Sequence, residues 1–226
     1  DAQESRGLGD VYKRQVYFLA QSEYTKDLIA AAMEAEPVTL IVGEPGTGKE
    51  SLARRIHAES RDSDGPFVPF SCASYIGAEL AHELFGAAAN VVPPGEKWGA
   101  VSRAEGGTLF IEALPKAPQE VQKRIAHLLT TRRFRRQGEE VDIESNCRFI
   151  FALEFVPQGA AGGILPELSA VLPKKALRIP PLRERKDDIL PLAKYYIELF
   201  KQELNKQVTT VALEAEETLL QYQWPG

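Results

Sequence analysis

The sequence predicts an α/β fold in which helices cover both faces of a parallel sheet, with a smaller helical subdomain behind it. Three observations carry this. Short apolar runs of strand length alternate with segments of helical periodicity. The first such run, "VTLIV" (38–42), passes directly into the glycine-rich stretch "GEPGTGKE" (43–50) and then into a helical pattern. After "RIPPLRERKDD" (178–188) the pattern is helical only.

The elements follow in order. Ser22 can cap a helix through "EYTKDLIAAAMEAE" (23–36), which Pro37 breaks. "VTLIV" is a β-branched strand, and the residues after Lys49 are helical. "PFVPFS" (66–71) reads as a second strand and "AELAHELF" (78–85) as a helix. "GTLFIE" (107–112) is a third, buried strand that ends in a carboxylate. "PQEVQKRIAHLLTT" (118–131) has apolar residues at 121, 125, 128 and 129, which is helical spacing. "CRFIFAL" (147–153) is a fourth buried strand. Beyond it, Ile189, Leu192, Ala193, Tyr196 and Leu199 share one helix face, and "EAEETLLQY" (214–222) begins another helix.

Composition narrows the function class. At 226 residues the chain can bury a substantial core, and 44% hydrophobic with 26% charged residues is ordinary for a globular protein. No apolar stretch approaches a membrane span, and the start does not resemble a signal peptide. Cys72 and Cys147 lack metal-like spacing, which points to a reduced, cytoplasmic setting. A net charge of −5 argues against nucleic-acid binding by bulk electrostatics. The local exception, "RRFRR" (132–136), reads as a basic edge of structural ion pairs at a helix end and strand.

Gly43, Gly48 and Lys49 fit G-x-x-x-x-G-K, with Glu44, Pro45, Gly46 and Thr47 between the glycines. Such a loop wraps a phosphate in backbone N–H groups, adds the positive end of a helix, and sends its lysine to the outer phosphates. ATP or ADP is the expected ligand. Position 50 is Glu, where most such loops place a magnesium-holding Ser or Thr.

Taken together, "GEPGTGKE", "ELFG" (83–86), "GGTLF" (106–110), "PQEVQKRIAHLL", "PPLRERKDDI" (180–189) and "YQWPG" resemble, in order, the central AAA+ domain of the sigma-54-dependent transcription activators, the bacterial enhancer-binding proteins. The likeness spans about residues 16–226 and includes Glu50, habitual in that family. It implies an AAA+ P-loop NTPase with a helical lid. Such domains use ATP to build rings that remodel the sigma-54 holoenzyme, and they usually sit between a sensory and a helix-turn-helix domain. Residues 1–15 show no clear periodicity and read as a non-native or linker segment; the resemblance makes 16–182 the α/β nucleotide-binding subdomain and 183–226 the start of a truncated lid.

Several positions depart from the family pattern. Its second motif ends in Asp-Glu; here Glu112 replaces the Asp and Ala113 the Glu. Glu112 can still hold hydrated magnesium, but alanine cannot polarise water, and losing a positioned base removes roughly 10²–10⁴-fold of rate. The Asn that restrains the catalytic Glu is Ser71, in Ser71-Cys72-Ala73, and the γ-phosphate-sensing Asn aligns with Glu154. The two arginines that reach a neighbour's ATP align with Leu165 and Val171. Trans arginines supply roughly 10³–10⁵ in rate in comparable nucleotidases. The sigma-contacting G-A-F-T-G-A loop is replaced by "AAANVVPPGEKWGAV" (87–101), in which local packing is expected for Trp98.

The leading expectation is therefore an ATP-binding domain of a bacterial transcription regulator, catalytically degenerate, weakly oligomeric and not a sigma-54 remodeller. RNA polymerase and DNA would be reached only through other parts of a longer protein. One alternative is an active activator ATPase with relocated catalytic carboxylates, such as Glu112 or Glu105. Another is a module sensing a cyclic dinucleotide through Arg54 and Arg55, for which surface ion pairing on a helix is the competing explanation.

Overall fold

The computed structural model describes residues 27–28, 30–32, 38–88, 98–159, 161–204 and 208–225. Ser22, residues 1–15 and most of the replaced loop (89–97) lie outside them. In chain order the elements are β1 (Val38–Val42), α1 (Lys49–Glu59), β2 (Phe67–Ser71), α2 (Ala78–Phe85), α3 (Ala100–Arg103), β3 (Thr108–Glu112) and α4 (Gln119–Thr131). Then come β4 (Arg133–Phe134), β5 (Ile143–Glu144), β6 (Arg148–Leu153), α5 (Pro166–Val171), β7 (Leu177–Arg178), α6 (Ile189–Glu203) and α7 (Leu213–Gln221). The four strands expected from sequence are present, and β7 adds a fifth.

The main sheet is parallel, in the order β2-β3-β6-β1-β7. Period-2 alternation sends each central strand's side chains to two different cores. Leu40, Val42, Leu109, Ile111, Phe149, Phe151 and Leu153 face the core built with α2, α3, α4 and α5. Ile41, Phe110, Ile150 and Ala152 face the opposite core, against Leu52, Ala53 and Ile56 of α1. Pro69 is tolerated in β2 because that strand lies at the sheet edge.

The register decides where chemistry can occur. Val42 pairs with Leu153, Ala152 with Glu112, and Glu112 with Ser71. The carboxyl ends of four strands therefore finish side by side, and the turns after them open on one edge of the sheet, where ligands bind in open α/β folds. Glu105 lies beyond the other end of β3. About five strand residues at roughly 3.3 Å each separate it from that edge. Its carboxylate accepts hydrogen bonds from the backbone and side-chain nitrogens of Asn146. Glu105 is thus excluded as a relocated catalytic group.

A buried glutamine fixes the segment after β6. Gln122 Nε2 donates to the carbonyls of Ala117 (2.9 Å) and Gly163 (2.8 Å), and Gln122 Oε1 accepts from the Leu165 N–H (2.8 Å). Leu165 and Val171, the positions aligned with arginines in the resembled family, pack as apolar side chains against the larger core. On α6, Ile189 and Leu199 are buried as expected, whereas Tyr196 is 39% exposed.

Candidate nucleotide site

β1 hands the chain to the glycine loop with no gap in hydrogen bonding, since the Gly43 N–H donates to the Leu153 carbonyl at 3.1 Å. A Cβ at Gly43 would meet Thr47 Oγ1 at 2.8 Å and the Ile179 carbonyl at 2.9 Å, so only glycine fits there. Gly46 and Gly48 adopt φ of 73° and 91°, a region that costs other residues about 1–2 kcal/mol. Gly48 then starts α1, whose free N–H groups and positive end face the loop.

Lys49 is folded over the loop. Its ammonium donates to the carbonyls of Gly43 (2.7 Å) and Glu44 (2.8 Å). Burial lowers its pKa, opposed by the charges of Glu154 and Glu112. The Thr47 hydroxyl is used within the loop, donating to the Glu44 carbonyl at 2.8 Å. Glu50 pairs with Arg54 at 2.7 Å, and the Arg54 guanidinium lies over the Phe67 ring. Arg55 pairs with Glu59. Both arginines thus serve as helix-surface ion-pair partners, the arrangement that competes with a cyclic-dinucleotide reading.

Two clefts meet at the loop. One, about 240 Å³, lies between the loop and the helical subdomain and is walled by Gly46, Thr47, Leu182, Arg185, Tyr195, Tyr196 and Trp224. The other, about 680 Å³, lies between the loop and the ends of β2, β3 and β6. Its walls bring together Lys49, Ser71, Glu112, Ala113, Lys116, Glu154 and Phe155. The sequence-derived residues of the loop, Glu112, Ala113, Ser71 and Glu154 therefore do converge.

Two arginines absent from the sequence-derived site close it on the other side. Arg183 donates from Nη1 and Nη2 to the two carboxylate oxygens of Glu44, at 2.8 and 2.5 Å. Arg185 Nη2 donates to the Thr47 carbonyl at 3.0 Å. In sequence these arginines belong to the block "PPLRERKDDI", which carries the resemblance but does not tell what they touch, so only the fold reveals these contacts.

Ala113 sits at φ 54°, ψ 32°, in the left-handed region, and its side chain is a single methyl against the core. It offers no proton acceptor. Beside it, burial, reinforced by Glu112, pushes the Cys72 thiol up to about 12, so it stays protonated and unreactive. Trp98 packs locally on one face, with the Arg136 guanidinium 4.2 Å from its ring centre, while the side chain remains 57% exposed. "RRFRR" is structural as expected. Arg135 pairs with Asp142, Arg136 with Glu139, and Arg132 donates to the Cys147 carbonyl.

The Sigma-54 interaction domain model matches residues 19–160, and the AAA+ ATPase lid domain model matches 183–226. The chain belongs to the sigma-54 interaction domain family. NtrX of Azorhizobium caulinodans, a nitrogen assimilation regulatory protein, is 36% identical over 193 residues, 83% of this chain and 41% of that protein. The Psp operon transcriptional activator of Escherichia coli K12 is 35% identical over 192 residues, 83% of this chain and 59% of that protein. The chain thus spans about half the length of such relatives. Among solved structures, NtrX from Brucella abortus in complex with ATP gives a TM-score of 0.78 at 26% identity, covering 91% of this chain and 48% of that one. The same protein in complex with ADP gives 0.79 at 27% identity, over 92% and 46%. Among the described residues of this sigma-54 interaction domain, no helix is long and apolar enough to cross a membrane.

Proposed function

We propose that this sigma-54 interaction domain binds ATP or ADP and hydrolyses it slowly or not at all, as a cytoplasmic regulatory module of a bacterial transcription regulator. The observation that carries the proposal is the pairing of an intact cradle with a methyl group where a base is needed. Gly43 to Glu50 form the cradle, and Ala113 stands at the end of β3 in the same cleft as Lys49. Lys49 would exchange its two carbonyl partners for phosphate oxygens, and the Gly46 and Gly48 amides would meet the remaining charge. The NtrX relative crystallised with ATP and with ADP supports this ligand class.

Magnesium fits this donor set only in part. Glu112 supplies a carboxylate, but Glu50 is committed to Arg54 and the Thr47 hydroxyl to the loop. The ion would rely on Glu112, phosphate oxygens and water, and would supply charge neutralisation. The residues 16–182 would form the nucleotide-binding subdomain and 183–226 the lid, tied to the loop through Arg183 and Arg185.

The competing reading is an active ATPase, favoured by the carboxylate of Glu112 in the cleft. Titration with a fluorescent nucleotide decides the first part: saturable binding, weakened by Lys49→Ala, is expected. No binding by the wild type at millimolar nucleotide would sink it. DNA and RNA polymerase would be engaged through segments beyond this domain, without direct sigma-54 contact. Assembly would be weak, since Leu165 and Val171 offer no charge to a neighbour's nucleotide.

A further inference from the structure

We propose that the site discriminates against a third phosphate, and that Glu154 sets its preference for a nucleoside diphosphate. The inference rests on the nucleotide-binding reading above and specifies its ligand.

Both clefts border the loop, but Lys49 lines only the 680 Å³ one, so a phosphate chain held by Lys49 would extend into it, toward the ends of β3 and β6. Two carboxylates stand there, Glu112 and Glu154, both close enough to Lys49 to act on its charge. Among the described residues neither side chain has a hydrogen bond or ion pair, and Lys49 is a cation on which both act. Glu50, the third acid of the lining, is held by Arg54. Lys49 is therefore shared between a bound phosphate and two carboxylates. Lys116, exposed on the turn after β3, is the other cation of the lining.

A diphosphate satisfies Lys49 with its terminal phosphate and leaves the far end of the cleft to water. A triphosphate adds at least one more negative charge and directs it toward Glu154. Glu154 is exposed at the mouth of the cleft, so solvent screens but does not abolish the repulsion. Between neighbouring like charges in such a partly solvated setting the repulsion changes affinity on the order of tenfold. The residue acts on affinity through charge and does not touch a reacting bond.

The test compares ADP with a non-hydrolysable ATP analogue by calorimetry, with magnesium and with EDTA, on wild type and Glu154→Gln. ADP is expected to bind about five- to tenfold tighter than the analogue in both buffers. In Glu154→Gln the two should come within about twofold, chiefly because the analogue binds better. The substitution is isosteric and exposed, and a melting curve checks that the fold is kept. Equal wild-type affinities, tighter analogue binding in either buffer, or an unchanged ratio in Glu154→Gln overturns the inference. Absence of ADP binding instead overturns the nucleotide-binding reading beneath it.

Discussion

Arg183 holds Glu44 through both terminal guanidinium nitrogens, so the segment leading into the helical subdomain grips the second residue of the glycine loop. A second tie, Arg185 to the Thr47 carbonyl, lies on the same segment. A planar guanidinium and a carboxylate make two parallel bonds, which fixes orientation as well as distance. The wall of the 240 Å³ cleft that carries Tyr195, Tyr196 and Trp224 is thereby anchored to the phosphate cradle.

Arg183→Ala is expected to loosen this wall and leave the core intact. Both partners are substantially solvated, so thermal stability should change little. Nucleotide dissociation should accelerate several-fold, read by stopped-flow release of a fluorescent analogue. Unchanged dissociation would show that the latch has no part in ligand retention. The hydrogen bond from Arg183 lowers the Glu44 pKa, so the latch persists above the usual carboxylate range and weakens only as pH falls through that lowered value.

Gln122→Leu should destabilise the domain by about 1–3 kcal/mol, since it strands the buried Ala117 carbonyl and removes the half-buried bond to the Leu165 N–H. Urea unfolding measures this. A change within about 0.5 kcal/mol would mean that water replaces the lost bonds.

Ala113→Gly should be neutral to stabilising, by up to about 1 kcal/mol, because glycine removes the steric cost of the left-handed conformation at φ 54°. Ala113→Glu should bear that cost and recover little hydrolysis, as Leu165 and Val171 still supply no arginine. A loss of more than about 1 kcal/mol in Ala113→Gly would contradict the strain argument.

His57 provides a pH signature. It is buried, and one ring nitrogen lies 2.9 Å from Thr108 Oγ1. Burial lowers its pKa below 6.5, so the unfolded state binds protons more readily. Its contribution to stability is therefore present above the unfolded value and is lost as pH falls through the folded one. Unfolding midpoints of wild type and His57→Gln should converge as pH drops below about 6.5. A constant gap down to about pH 5 would contradict this.

The sheet and the glycine loop were legible in the sequence because both are written locally, as short continuous apolar runs and fixed glycine spacing. "GTLFIE" is buried as expected through Ile111, with Glu112 half-buried at its carboxyl end. The two-residue β7 and the short α3 and α5 carry too little periodicity to be seen. Gln122, Arg183 and Arg185 were missed for another reason: each acts through partners about 40 to 140 positions away. Glu105 was misjudged because sequence proximity to a strand does not say which end of the sheet it occupies.

The central claim, a nucleotide cradle without a motor, is tested most directly by phosphate release from ATP under saturating protein. The expected result is release near the uncatalysed background, in a preparation that binds nucleotide in a Lys49-dependent manner. Release at the rates of ordinary activator domains, abolished by Lys49→Ala, would contradict the account and make Glu112 the carboxylate of a working ATPase.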